Sequence, residues 1–191
     1  MDSIKPIISE LERVYESLAK EFKLKAPKPL ITIQSRGRSK ATLGWHWTKK
    51  WQYNKKELSE INICAESLNK TPINTLIHEM VHYSNAHEKI KDCNAHQYHN
   101  KSFKIKAESY GLNVEKNGRR GWGYTTLSNK LKPILEKLNI NYDLFKIYRK
   151  THKSTVQPTK MKKYSCNCTN LRCATILNAK CLNCNSNFIL K

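Results

Sequence analysis

The sequence predicts an α+β fold: helices packed on a small sheet of about three strands, followed by a small C-terminal piece folded around a metal. Three observations point that way. Apolar residues recur every three to four positions near the N-terminus, and three short β-branched or aromatic runs follow between polar turns. Five of the seven cysteines crowd into the last 26 of 191 residues. A chain of this length can bury one sizeable core and carry a small appendage. With 39% hydrophobic and 26% charged residues, its composition is that of a globular protein rather than a disordered one.

The first element places Ile4, Ile7, Ile8, Leu11, Val14, Leu18 and Phe22 on one face of a helix that stops before Pro27 and Pro29. Leu30-Ile31-Thr32-Ile33, the run from Ala41 to Trp47, and Glu60-Ile61-Asn62-Ile63-Cys64 read as the strands. Thr71-Pro72 opens a second helix, with threonine as N-cap and proline at the first helical position, where its missing N–H costs nothing. That helix runs to about Asn85, and a His-rich loop follows from about Ala86 to Tyr98. Another helix is expected over Lys101–Tyr110, ended by Gly111, and a further one within Thr126–Leu138, after a glycine-broken turn from Asn117 to Gly123. The expected organisation is a main domain over 1–112, a basic helical extension over 113–147, a linker over 148–163 and a cysteine-rich module over 164–191.

Charge is uneven along the chain. Residues 1–115 hold 19 Lys and Arg against 13 Asp and Glu, a net of +6, whereas residues 116–191 hold 16 against 2, a net of +14. Such a field attracts polyanions, and nucleic acid is the commonest in a cell. Mere solubility does not require so lopsided an excess. The segment Gly118-Arg119-Arg120-Gly121-Trp122-Gly123-Tyr124 mixes guanidinium groups with aromatics, which suits single-stranded DNA as well as it suits an ordinary turn with an aromatic plug. Trp45, Trp47 and Trp51 divide the same way. No run of eighteen apolar residues occurs, and Met1-Asp2-Ser3-Ile4-Lys5-Pro6 lacks the features of a signal peptide. The expectation is a cytoplasmic protein with no membrane partner, free to associate with DNA.

In a reducing compartment, clustered cysteines read as metal ligands rather than disulfides. Cys166-Asn167-Cys168 and Cys181-Leu182-Asn183-Cys184, twelve residues apart, have the pattern of a zinc ribbon, in which two close pairs clasp one tetrahedral ion. Cys173 is a spare that could replace one member of the first pair. Cys64 sits in an apolar strand and reads as core, while Cys93 in the His-rich loop reads as incidental.

The strongest chemical signal is His78-Glu79-Met80-Val81-His82. Residues four apart share a helix face, so His78 and His82 can grip one zinc ion. Glu79 is rotated about 100° from His78, beside the metal, where it can reach a water and act as general base. Ile73, Leu76, Ile77 and Met80 lie on the opposite face and would anchor the helix. A catalytic zinc usually takes a third protein ligand. Asn85 and Glu88 stand where one common pattern would have a glycine and a histidine, so that pattern is absent. Glu108, His87, His96 and His99 remain as candidates, with His99 well placed just before the next helix.

From Leu58 to Phe103 the chain resembles the SprT-like metallopeptidases, a family that includes DNA–protein crosslink proteases. The resemblance rests on the strand Ile61-Asn62-Ile63-Cys64, the helix bearing His78-Glu79-Met80-Val81-His82, and His99-Asn100-Lys101-Ser102-Phe103, where Asn100 stands in the place of the family's glycine. It implies a zincin-like helical domain over 1–112, His99 as the third ligand of a catalytic zinc, and peptide-bond hydrolysis with Glu79 as general base. It also implies protein substrates on or near DNA. SprT-like proteins often end in a zinc ribbon, which would make Cys166, Cys168, Cys181 and Cys184 the ligands of a second, structural zinc. An oxyanion donor is expected too, and Tyr83, Tyr98, Tyr110 and Tyr124 all qualify. The competing class is a non-catalytic nucleic-acid-binding zinc protein, which has no use for a carboxylate at position 79.

Overall fold

Helix α1 (Lys5–Glu21) turns Ile7, Leu11, Val14, Tyr15 and Leu18 into the core and leaves Ile4, just outside it, exposed. Its last turn gives way to Lys23 in the left-handed region, and Phe22 stacks on Tyr110 with ring centroids 4.3 Å apart. The computed structural model describes residues 3–37, 41–151 and 161–191. By contact density the chain divides into two units, Met1–Thr151 and His152–Lys191.

In the first unit, strands β1 (Leu30–Gln34), β2 (Gly44–Tyr53) and β3 (Lys56–Cys64) form a sheet in the order β1-β3-β2. β1 runs parallel to β3, with Ile31 opposite Ile61 and Ile33 opposite Ile63; β2 runs antiparallel to β3. That register puts Ile31, Ile61 and Ile63 on the face that meets the helices, and all three are buried. Three strands were expected, but β2 and β3 extend further into a hairpin. Asn54 and Lys55 close it as a two-residue loop, both at positive φ, the geometry that matches strand twist. Lys55 stands where glycine is usual.

Helix α2 (Pro72–His87) crosses the core face of the sheet with Ile73, Leu76, Ile77 and Met80 buried, the anchoring face read from the sequence. Pro72 occupies the first turn, but the Thr71 side chain makes no cap. Its carbonyl instead accepts from both the amide and the hydroxyl of Thr75 at 2.9 Å. Gly44 lets β2 approach this helix: a Cβ there would lie 2.7 Å from both Asn62 O and Thr75 Cγ2. Helix α3 (Lys101–Ser109) ends before Gly111, which adopts φ +82.

The region expected to be a helical extension begins as a β-hairpin, β4 (Leu112–Asn117) and β5 (Gly121–Leu127), and only then enters the short helix α4 (Lys132–Lys137). The linker expected over 148–163 lies largely in 152–160, outside the described residues. In the second unit, β6 (Lys162–Ser165) is flanked by β7 (Asn170–Cys173) and β8 (Ile189–Leu190), both antiparallel to it. Among the described residues, no helix is long and apolar enough to cross a membrane.

Candidate metal centres and the cleft

His78 and His82 project from one face of α2, and His99 faces them from the residue before the Asn100 cap of α3. One ring nitrogen from each of the three lies within 4.8 Å of the others. Phe103 forms the floor, with ring centroids 4.7 Å from His78, 4.7 Å from His82 and 4.5 Å from His99. Asn100 earns its place by capping: its Oδ1 accepts from the amides of Ser102 and Phe103 at 2.7 and 3.3 Å, and its Nδ2 donates to Lys91 O at 2.8 Å. The residue in the family's glycine position thus fixes both the loop and the start of α3.

Each histidine is held by its other nitrogen. His82 Nδ1–H donates to Asp92 Oδ2 at 2.9 Å, and that carboxylate also accepts from Asn85 Nδ2 at 2.9 Å. His99 Nδ1–H donates to the Arg120 carbonyl at 3.1 Å, and His78 Nδ1 meets the Thr125 hydroxyl at 3.0 Å. Partners at Nδ1 fix the tautomers and aim the Nε2 lone pairs inward. His82 Nε2 and His99 Nε2 then face each other at 3.0 Å. Two lone pairs at that separation repel unless a cation lies between them, so the donor set fits a metal ion. Zinc suits it, because three imidazoles leave one position of a tetrahedron open.

Electrostatics agree. Burial drives His78 well below the usual histidine range, and burial plus the neighbouring His82 bring His99 to about 4. Both are therefore neutral imidazoles near pH 7. Burial acts the same way on His82, but Asp92 and Glu79 outweigh it and raise its pKa, making it the most basic donor of the three. Glu79 is 6% exposed, and burial pushes its carboxyl up to about 7.

These groups open onto a cleft of about 1190 Å³. Its walls include Gly44, Trp45 and His46 from β2 and Tyr124 and Thr125 from β5. The hairpin β4–β5 is part of the site because its glycines allow close passage. Cβ atoms at Gly121 and Gly123 would lie 2.2 Å from His99 O and 2.5 Å from His99 Nδ1. The His99 backbone pairs with it on both sides, through His99 N to Arg120 O and Trp122 N to His99 O, each 3.0 Å. The Arg- and Trp-containing turn, which the sequence left divided between a nucleic-acid element and an ordinary turn, is thus a wall of the histidine cluster.

The other ligand candidates lie elsewhere. His87 and His96 are exposed, and Glu108 points outward in an ion pair with Lys104 at 3.3 Å. Of the four tyrosines, Tyr83 donates to Pro27 O and Tyr110 is buried against Phe22, while Tyr98 packs at Gly121. Tyr124 alone among them lines the cleft. Sequence reasoning missed Asp92, Thr125, the Arg120 carbonyl and His46. Burial lowers the His46 pKa to about 4. Cys93 adjoins Asp92 and His82, and its thiol is pushed up to about 11, mainly by burial. Cys64 is buried in the core, as expected.

In the second unit, Cys166, Cys168, Cys181 and Cys184 bring their sulfurs within 4.8 Å of one another. Cys168 Sγ lies 3.7 Å from Cys166 Sγ and 3.6 Å from Cys181 Sγ. The Ser186 amide at Cys184, and the amides of Cys184 and Asn183 at Cys181, hold those thiols below the usual range and favour the thiolate a metal needs. Cys173 is outside the cluster, with its Sγ 3.5 Å from Thr175 Oγ1.

A helix offering two histidines and a glutamate, a third histidine behind a capped loop, and a four-cysteine cluster define a metal-binding chain of metallopeptidase type. The model of the SprT-like family matches residues 11–119, and the chain belongs to that family. No curated protein and no solved structure matches it.

The Asp92 contact carries a direct expectation. Asp92→Asn should keep the fold but weaken metal affinity at the histidine cluster about 10- to 100-fold, because the anchor that orients and enriches His82 is lost. Competition with a chelator of known affinity measures this, and an unchanged affinity would mean that His82 needs no anchor.

Proposed function

We infer that the chain is a zinc-dependent peptidase acting on proteins on or near nucleic acid, with His78, His82 and His99 as the catalytic zinc ligands. The observation that carries this reading is a buried carboxylate, Glu79, beside three converging imidazoles in the wall of an open cleft. A purely structural site needs no such group. Zinc held there would polarise a scissile carbonyl and lower the pKa of a water.

The protein's own groups do the rest. Glu79 accepts the proton of the attacking water on its carboxylate and later returns it to the leaving amine. In the metal-free chain burial raises its pKa to about 7, so the carboxyl group is ready to hold a proton. Tyr124, half exposed on the cleft wall next to Thr125, is the hydroxyl available to the developing oxyanion. Strand β2 is the edge of its sheet, and its Gly44–His46 end lines the cleft. An extended substrate segment can align along that edge through backbone hydrogen bonds. The second zinc, on Cys166, Cys168, Cys181 and Cys184, is structural.

Support for the nucleic-acid part is the net +14 over residues 116–191. If these cations neutralise phosphates, affinity for DNA must fall steeply with salt. The deciding experiment incubates the zinc-loaded chain with a DNA-bound protein, with and without DNA and with and without chelator. Cleavage that needs zinc and rises with DNA is expected. A fully zinc-loaded chain that binds DNA but cuts nothing would favour a non-catalytic nucleic-acid-binding protein.

A further inference from the structure

The sheet has a second face, which the cleft meets only at Trp45. The pairs Trp45–Asn62, Trp47–Glu60, Trp51–Leu58 and Tyr53–Lys56 put all four aromatics of β2 on the side opposite Ile61 and Ile63. A bulge makes this possible. Between Trp47 and Trp51 three residues oppose Ser59 alone, so the strand bends and the alternation still returns Trp51 to the face of Trp47. Lys49 absorbs the bend at φ +53, and its amide donates to Ser59 Oγ at 3.3 Å.

The platform is pinned from beneath. The Glu60 carboxylate is 3% exposed and accepts indole N–H bonds from Trp45 at 3.1 Å and Trp51 at 2.5 Å. Both rings are thereby oriented by one buried carboxyl group rather than by an apolar core. Above it, Trp47 is 48% exposed, Trp51 44% and Tyr53 65%. Three large rings in water on one strand are not explained by packing, and their surroundings are basic. Lys50 Nζ sits 3.8 Å from the Trp47 ring centroid, and Lys55 and Lys56 are exposed at the turn. The acidic neighbour on the hairpin surface, Glu57, is neutralised by Lys49 at 2.8 Å.

We propose that this outer sheet face, with Trp47, Trp51 and Tyr53, is a stacking platform for single-stranded nucleic acid. Aligned rings with a polar, cationic rim suit bases and phosphates, since every base offers a π-face and each phosphate a negative charge. An apolar peptide partner would instead call for aliphatic neighbours, and the face supplies lysines. The inference rests on the reading that this chain works at nucleic acid, and it adds where the strand lies. Trp47 is three residues from Gly44 at the cleft, about 10 Å along the strand. A strand held here would keep an attached protein within reach of the cleft.

The test uses the full, zinc-loaded chain, a short labelled oligothymidine and salt titration. Trp47→Ala with Tyr53→Ala should weaken binding by roughly ten-fold per ring and reduce the tryptophan quenching seen on binding, because both rings are exposed and their loss removes the stacking surface. Trp47→Phe with Tyr53→Phe should restore most of the affinity. Lys55→Gln with Lys56→Gln, remote from the core, should lower the salt slope by about 1 to 2 and tests the surface even if the alanine pair misfolds. Unchanged oligothymidine affinity in the folded alanine pair, or an unchanged slope in the lysine pair, would overturn the platform. So would an alanine pair whose only defect is a raised KM on a DNA-free protein substrate, which would make the face a peptide-docking surface. Absence of binding by the parent chain would sink the nucleic-acid reading itself, whereas binding lost only when the lysines of 161–191 are replaced would sink this surface alone.

Discussion

Glu79→Gln is expected to lower peptide hydrolysis by about a hundred- to ten-thousandfold while leaving the fold and both metals in place. Glutamine is nearly isosteric and cannot take a proton from water at neutral pH. The three imidazoles are oriented by Asp92, Thr125 and the Arg120 carbonyl rather than by Glu79. Zinc content should therefore hold. Stability in the metal-free protein gives a second reading with a definite sign. Burial raises the folded-state pKa of Glu79 to about 7, above its ordinary 4.5. The folded state thus favours the neutral acid, and ionisation costs stability as pH rises from about 4.5 through about 7. The metal-free glutamine variant should escape that loss and denature at higher urea than the metal-free parent above pH 7. Undiminished cleavage by the variant would remove Glu79 from the mechanism.

The helix that carries this chemistry was legible because two periodicities coincide on it. Ile73, Leu76, Ile77 and Met80 mark the buried face, and His78 and His82 are four residues apart on the other. His99 was favoured by its place just before a helix and selected by resemblance to the family motif, since no local pattern joins a loop residue to a helix seventeen positions earlier. The partners of the histidines were not readable for the same reason. Asp92 reaches His82 across a loop, and Thr125 and Arg120 reach His78 and His99 from a hairpin that folds back over the site. A signal for that hairpin existed: Leu112 and Val114 alternate with polar residues before the Asn117-Gly118 turn. The length of β2 was hidden by its own irregularity, because the bulge after Trp47 breaks the two-residue alternation and Asn54-Lys55 lacks the glycine that usually announces a tight turn.

Cys181→Ser should unfold the second unit's sheet and halve the zinc content from two per chain to one. The unit has little else to hold it. Of the described residues from Met161 onward, Tyr164 and Cys181 are the buried hydrophobic ones, and the strands are four, four and two residues long. Folding such a piece on apolar burial alone would not offset the entropy of ordering its chain. A structural zinc contributes on the order of 10–16 kcal/mol in small domains of this kind, which is enough. Serine offers a hydroxyl that does not ionise at neutral pH, so the four-sulfur cluster of Cys166, Cys168, Cys181 and Cys184 loses a ligand. Amide exchange should become fast across 161–191 while α2, whose core residues lie within Met1–Thr151, keeps its protection. Cys173→Ser is the matched control: its sulfur lies at Thr175, outside the cluster, and both zinc ions and slow exchange should persist. Elemental analysis with exchange measured by mass spectrometry separates the outcomes. One zinc per parent chain that survives Cys181→Ser would mean that the four cysteines do not hold the metal.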